Sequence, residues 1–104
     1  MTCRAVALLH GKVSPVEPSA VDELIRDEGT SVWLDIEDPV DADLDLLRDE
    51  FGFHELSLED ARRREQRPKV DEYPGYYFIV LYAASCGADG GVLTHEIHCF
   101  WGKN

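Results

Sequence analysis

Carboxylates crowd one part of the sequence, and this crowding is its clearest chemical feature. Arg48 is the only basic residue between positions 35 and 60, whereas eleven residues of this stretch are acidic: Asp35, Glu37, Asp38, Asp41, Asp43, Asp45, Asp49, Glu50, Glu55, Glu59 and Asp60. Neighbouring carboxylates repel one another, and a hard divalent cation that prefers oxygen ligands relieves the repulsion. A solvated helical surface with acidic residues near its N-terminus gives the same composition. Both interpretations stay open.

One part of this stretch has the spacing of a calcium loop. Asp41, Asp43 and Asp45 alternate as the first ligands of an EF-hand loop do. That loop also requires glycine at its sixth position and glutamate at its twelfth. Leu46 and Gly52 stand at those positions, so the sequence does not encode an EF-hand.

Soft metal ligands occur near the C-terminus, at Cys86, His95, His98 and Cys99. In a strand, His95 and His98 point to opposite faces. His95 and Cys99 share a face but are separated by roughly 13 Å, which is too far for one tetrahedral zinc ion. We therefore interpret these residues as core or edge-strand side chains.

The sequence contains no motif typical of an enzyme. It has no GxSxG, no GxxxxGK[ST] and no HExxH. Ser57 and Ser85 lack a context of histidine plus carboxylate. We predict that the chain is not an enzyme.

The net charge limits the classes of partner that the chain can bind. With 21 acidic and 10 basic residues the net charge is −11, which disfavours nucleic acids and anionic membrane surfaces and favours cations or basic partners. The one basic cluster suits the C-terminal end of a helix; it comprises Arg62, Arg63, Arg64, Arg67 and Lys69. The longest apolar run, residues 76–84, is shorter than the roughly twenty residues of a membrane-spanning helix.

Hydrophobic spacing and turn residues predict an α/β (α+β) domain with a mixed sheet flanked by helices. Strands are expected at residues 4–10, 31–35, 70–73, 76–84 and 92–101, and helices at 20–25, 41–51 and 55–64. Residues 11–18 are expected to form a loop, and residues 31–35 a central strand. Trp33, Phe78 and Val80 are predicted core residues.

Several segments, in this order, resemble the CorA family of magnesium and cobalt transporters. They are Val32-Trp33-Leu34-Asp35 with Asp38-Pro39, Phe51-Gly52-Phe53-His54-Glu55-Leu56, Leu58-Glu59-Asp60, Gln66-Arg67-Pro68-Lys69-Val70-Asp71, and Glu96-Ile97 with Gly102-Lys103-Asn104. The spacing between Glu59-Asp60 and Gln66-Arg67-Pro68-Lys69 is the most specific part of the resemblance.

The resemblance implies a cytosolic N-terminal α/β/α domain that precedes a stalk helix and two membrane helices in a homopentamer. We expect residues 1–104 to be a single such domain, truncated before the stalk and soluble as a fragment, at the cytosolic face of the cell membrane in the full-length protein. The Gly-Met-Asn pore signature of the family is absent, since Met1 is the only methionine. We therefore expect no conduction by this chain.

The resemblance also implies a role for individual residues. It assigns Asp60, with Glu59, to a regulatory magnesium site at a subunit boundary, whose partner carboxylate belongs to the stalk. We expect weak Mg²⁺ binding by the isolated domain and no tightly bound cofactor. Alternatively, Asp60 pairs with Arg63 or Arg64 on its own helix. Gln66, Arg67, Pro68 and Lys69 are interpreted as a structural motif in which Pro68 ends the helix.

Two functions are compatible with these features. The first is a regulatory, cation-sensing domain of a Mg²⁺ or Co²⁺ transporter that gates transport through metal binding between identical subunits. The alternative is a free-standing acidic interaction domain that binds a basic partner.

Overall fold

The computed structural model describes residues 2–104, which form two compact units. The first, the N-terminal unit, comprises residues 2–58 together with Asn104. The second, the C-terminal unit, comprises residues 59–103. Each unit contains one three-stranded antiparallel sheet.

The N-terminal sheet has the order β2-β1-β3, built from β1 (Thr2–Leu9), β2 (Lys12–Val16) and β3 (Ser31–Glu37). The turn from β1 to β2 uses His10 and Gly11, whose φ angles are 51° and 77°. Two consecutive residues with positive φ are typical of a tight hairpin turn that matches strand twist. The predicted loop over residues 11–18 is therefore wrong. Pro15 obscured the strand, but proline is compatible with an edge strand such as β2.

Strand β3 lies at the edge of its sheet, so the prediction of a central strand is wrong. Its side chains alternate, with Val32 and Leu34 half-buried and Trp33 70% exposed. The prediction that Trp33 is a core residue is also wrong. Because strand neighbours point to opposite faces, burial of Val32 and Leu34 places Trp33 on the other face.

The helices of the N-terminal unit follow local signals closely. A 3₁₀ turn (Pro18–Ala20) leads into the short helix α1 (Val21–Leu24), within the region where a helix was predicted. Helix α2 (Asp41–Phe51) has the predicted bounds. The Asp43 carboxylate accepts the backbone N–H of Val40 at 2.9 Å, and Gly52 ends the helix in the left-handed conformation with a φ of 70°.

Helix α3 (Glu55–Arg62) is two residues shorter than predicted. At its start the His54 side chain accepts the backbone N–H of Leu56 through Nδ1 at 3.0 Å. Such a side-chain acceptor satisfies one of the free N–H groups of the first helical turn. The helix ends before the basic run does, so Arg63 and Arg64 lie in the connection that follows.

The C-terminal sheet has the order β4-β5-β6. Strands β4 (Lys69–Tyr73) and β5 (Tyr76–Cys86) are joined through Pro74 and Gly75, and β5 is joined to β6 (Val92–Gly102) by residues 87–91. The predicted hairpin and its five-residue connection are confirmed. Phe78 and Val80 are 0% and 1% exposed, which confirms their predicted place in the core.

The α+β class is confirmed, but the strands form two antiparallel sheets and no mixed sheet is seen among residues 2–104. The connections explain this outcome. Three of the four strand pairs are joined by turns of two to five residues, whereas a parallel pair requires a crossover of about a dozen residues or more.

Two aromatic substitutions test this assignment of the core. Phe78→Ala should lower the free energy of unfolding by about 3–5 kcal/mol, because it removes a fully buried ring. Trp33→Ala, the matched control on an exposed face, should change it by less than about 0.5 kcal/mol. Urea denaturation followed by circular dichroism measures both values. Equal losses in the two variants would contradict the assignment.

Candidate cation site at the end of helix α3

The last turn of helix α3 and the first residues of strand β4 bring opposite charges together. The Lys69 ammonium nitrogen Nζ lies 2.8 Å from Asp60 Oδ2 and 2.8 Å from Asp71 Oδ2. It also lies 5.7 Å from the centroid of the Phe78 ring, within the range of a cation–π contact. One ammonium group is thus shared by two carboxylates and an aromatic ring.

Burial strengthens these contacts. The side chains of Asp60 and Lys69 are 23% and 33% exposed, so water screens the pair less than it screens a fully exposed pair. The hydrogen bonds that Lys69 donates to Asp60 and then to Asp71 raise the pKa of Lys69 above its ordinary value, although burial opposes the shift. The charged form of Lys69 is therefore the form that this site favours.

The Lys69 partnership was not predicted. The i+3 and i+4 rule considers only partners on the same helix and so proposes Arg63 or Arg64 for Asp60, whereas Lys69 lies nine residues further along the chain. Asp71 was also missed as part of the site. Its signal was present in the sequence, because residues 69 and 71 of a strand share one face.

Gln66 closes the end of helix α3. Its side-chain amide Nε2 donates to the carbonyl oxygens of Asp60 and Arg63. The last carbonyls of a helix have few partners within the helix. Gln66 supplies a donor to the Arg63 carbonyl and a second donor to the Asp60 carbonyl, which also accepts the backbone N–H of Arg63. The Tyr82 hydroxyl in turn donates to the carbonyl oxygen of Gln66. Gln66 and Lys69, the first and last residues of the Gln66-Arg67-Pro68-Lys69 segment, thus both contact the end of helix α3.

Between α3 and Gln66 the chain reverses direction at Glu65, whose φ is 63°. A residue other than glycine adopts this left-handed conformation at a cost. The backbone N–H of Glu65 donates to Glu96 Oε1 at 2.6 Å, which offsets part of that cost. Pro68 then directs the preceding residue, Arg67, into extended geometry before β4 begins.

Glu96 and His98 of strand β6 contact the end of helix α3 and the connection that follows it. The His98 ring contacts the Ala61 carbonyl oxygen through Nδ1 at 3.1 Å and Glu96 Oε2 through Nε2 at 2.6 Å. Burial raises the pKa of Glu96, but the hydrogen bonds from His98 and Glu65 outweigh burial, so its pKa lies below the ordinary value. Neither residue was predicted for this role.

Three carboxylates of the acidic stretch surround Arg48 of helix α2. The Arg48 guanidinium lies 3.4 Å from Asp45, 3.0 Å from Asp49 and 3.8 Å from Glu55. These exposed ion pairs relieve repulsion between the carboxylates without a metal ion. Within residues 2–104, no three His, Cys, Asp or Glu side chains converge closely enough to hold a metal ion.

Glu59 is exposed, next to the half-buried Asp60. Lys69 binds the Oδ2 oxygen of Asp60. A cation could therefore bind the other oxygen of Asp60, Oδ1, and the carboxylate of the neighbouring Glu59. Together they supply too few ligands for a complete site, because a divalent cation such as Mg²⁺ takes six oxygens, some of them from water.

The described part of the chain contains no helix that is both long enough and apolar enough to cross a membrane.

These features define an acidic α+β domain in which ion pairs and side-chain hydrogen bonds gather at the C-terminal end of helix α3. The sequence profile of a family described as CorA-like Mg²⁺ transporter protein matches residues 28–104. The chain belongs to this family.

Individual relatives agree with the family assignment. YfjQ of Bacillus subtilis, named as a candidate metal ion transporter, is 41% identical over 71 residues, or 68% of this chain. The magnesium transporter ALR1 of Saccharomyces cerevisiae is 37% identical over 58% of the chain, and the cobalt/magnesium transport protein CorA of Thermotoga maritima is 40% identical over 54%.

The chain spans 21%, 7% and 16% of the lengths of these relatives, which is about a fifth or less. All three are named as transport proteins rather than as enzymes, as the sequence predicts for this chain.

Substitution of Lys69 tests the shared ammonium. Lys69→Met should lower the free energy of unfolding at pH 7 by roughly 1 kcal/mol, the upper end for a partly exposed ion pair. Lys103→Met, the control, should change it by less than about 0.5 kcal/mol.

The stability lost in Lys69→Met should depend on pH. Because folding raises the pKa of Lys69, its contribution is fully present below 10.5 and is lost as the pH rises through the folded value. The difference between wild type and Lys69→Met, measured by urea denaturation, should therefore shrink above pH 10.5. A difference that stays constant over this range would contradict the shared ammonium.

Proposed function

We propose that this chain is a regulatory, cation-sensing part of a divalent-cation transporter of the CorA-like family. The observation that carries the proposal is the family match over residues 28–104, which includes both the Leu58-Glu59-Asp60 and the Gln66-Arg67-Pro68-Lys69 segments. In this proposal Asp60, with Glu59, supplies part of a regulatory Mg²⁺ site.

The position of Asp60 supports a site that is completed from outside residues 2–104. Asp60 is held in a fixed place by Lys69, and the exposed Glu59 adds a second carboxylate. A carboxylate that faces another across a subunit boundary is repelled until a dication bridges the two. Mg²⁺ would then bind the assembled state more tightly than the separated one, which is the differential affinity that a ligand-driven switch requires.

The cellular setting follows from the family. We propose that the chain acts on the cytosolic side of a cell membrane, in a pentamer of identical subunits whose membrane-spanning segments conduct the ion. The names of two relatives favour Mg²⁺ and Co²⁺ as the cations. Residues 1–104 would form the single N-terminal domain of such a subunit.

Lys69 explains why binding by the isolated chain should be weak. A dication that approaches Asp60 meets an ammonium group 2.8 Å from Oδ2, and the like charges repel. The few available oxygens lower the affinity further. We therefore expect a dissociation constant on the order of 1 mM or weaker for Mg²⁺, comparable to the weakest oxygen sites for Ca²⁺ in proteins.

A titration followed by NMR tests the proposal at single residues. Co²⁺ is paramagnetic, so bound Co²⁺ should broaden the amide signals of Glu59 and Asp60 first, and excess Mg²⁺ should restore them. Asp60→Asn should abolish this broadening. Glu72→Gln, which makes the same charge change at an exposed position of β4, should leave it unchanged.

Two results would contradict the proposal. The first is broadening centred elsewhere and unaffected by Asp60→Asn. The second is tight, stoichiometric Mg²⁺ binding measured by calorimetry, because it would require a complete site within this chain.

Lys69→Met should strengthen cation binding, whereas Asp60→Asn should weaken it. Removal of the ammonium leaves Asp60 and Asp71 facing one another without a counter-charge. The variant should bind Co²⁺ and Mg²⁺ more tightly than wild type, by about tenfold if the repulsion removed is close to 1.4 kcal/mol. Unchanged or weaker binding would show that Lys69 does not compete with the cation.

A further inference from the structure

The His98 imidazole lies between two groups that accept hydrogen bonds. Nδ1 faces the carbonyl oxygen of Ala61, in the last turn of α3, at 3.1 Å. Nε2 faces the Glu96 carboxylate, two residues earlier in β6, at 2.6 Å. The His98 and Glu96 side chains are only 16% and 15% exposed, so water has little access to either contact.

Both neighbours of the ring act as acceptors while Glu96 is ionised. A backbone carbonyl oxygen has no proton to donate. Glu96 already accepts the Glu65 backbone N–H at 2.6 Å, and this contact favours the ionised carboxylate. While Glu96 is ionised, both ring nitrogens of His98 face acceptors, and only the imidazolium form has two donors.

The surrounding charges agree with a cation at this position. On β6 the neighbouring charge is Glu96, and the connection after α3 contributes Glu65. On β5 the Phe78 ring lies 5.8 Å from the His98 ring, and Tyr82 contacts Glu96. In α3 the charged neighbours of Ala61 are Asp60 and Arg62, and at the start of β4 the Lys69 ammonium is shared by Asp60 and Asp71.

We infer that His98 and Glu96 form a proton-dependent latch that fixes the end of helix α3 to strand β6. The latch is closed while His98 carries both ring protons. When His98 loses one proton, a ring nitrogen with a lone pair faces either the Ala61 carbonyl or the Glu96 carboxylate, and that contact becomes repulsive. Loss of a ring proton from His98 therefore opens the latch.

Glu96 limits the latch at the acid end. Because folding lowers the pKa of Glu96, its contribution is fully present above 4.5 and is lost as the pH falls through the folded value. Protonation of Glu96 at low pH therefore also opens the latch. It concerns the attachment of helix α3 alone and does not depend on metal binding at Asp60.

The backbone amide of Glu65 reports on the latch, because it donates to Glu96. The protection factor of this amide against hydrogen exchange should fall roughly tenfold between about pH 5.5 and pH 8.5. In His98→Gln it should be low and similar at both pH values. His95→Gln, which removes an exposed histidine from the opposite face of β6, should retain the wild-type response.

Nitrogen spectra of the histidine rings provide a second readout in the wild-type protein, so the test does not rely on the folding of a variant. At pH 5.5 both ring nitrogens of His98 should show the chemical shifts of protonated nitrogen, and at pH 8.5 one should not. A single protonated nitrogen at pH 5.5 would overturn the inference. A pH response of Glu65 that is absent in wild type, or that persists in His98→Gln, would overturn it too.

Discussion

The position of one ammonium group determines how the C-terminal unit is organised around helix α3. Lys69 is the first residue of β4, and its Nζ contacts Asp60 in α3 and Asp71 in β4 at the same distance of 2.8 Å. Without this cation, two half-buried carboxylates would face each other beside an aromatic ring, where repulsion is poorly screened. The ion pair thus joins the last turn of the helix to the first residue of the strand.

The six residues between α3 and β4 provide donors for the last carbonyls of the helix and turn the chain back. A helix that ends beside a sheet leaves carbonyl groups without partners, and the chain must turn back within a few residues. Gln66 supplies donors to two carbonyls, Glu65 makes the reversal, and Pro68 prevents the helix from continuing. The segment that most specifically marks the family is therefore also the segment that shapes the connection. Asp60 has both roles: its charge stabilises the fold, and the proposal assigns it a metal ion.

The sequence predicted correctly those elements whose bounds depend on residues close to one another in the chain. The bounds of α2, set by the carboxylate of Asp43 and by Gly52, and the hairpin of β5 and β6 were evident from the sequence. Contacts between distant positions were not: Lys69 with Asp60 depends on how the chain turns at Glu65, and His98 with Ala61 joins residues 37 positions apart. Trp33 was misplaced because Val32, Trp33 and Leu34 are all apolar, so the sequence does not reveal which face of β3 is buried. Strand β2 was missed because Pro15 is compatible with either a loop or an edge strand.

The shared ammonium stabilises the end of helix α3 only if Asp60 and Lys69 interact energetically as well as geometrically. A double-mutant cycle measures this directly, with unfolding free energies of wild type, Asp60→Asn, Lys69→Met and the double variant at pH 7. We expect a coupling energy of about 1 kcal/mol, within the range for partly buried residues in direct contact. Additive effects of the two substitutions, with a coupling energy of zero within error, would contradict the account.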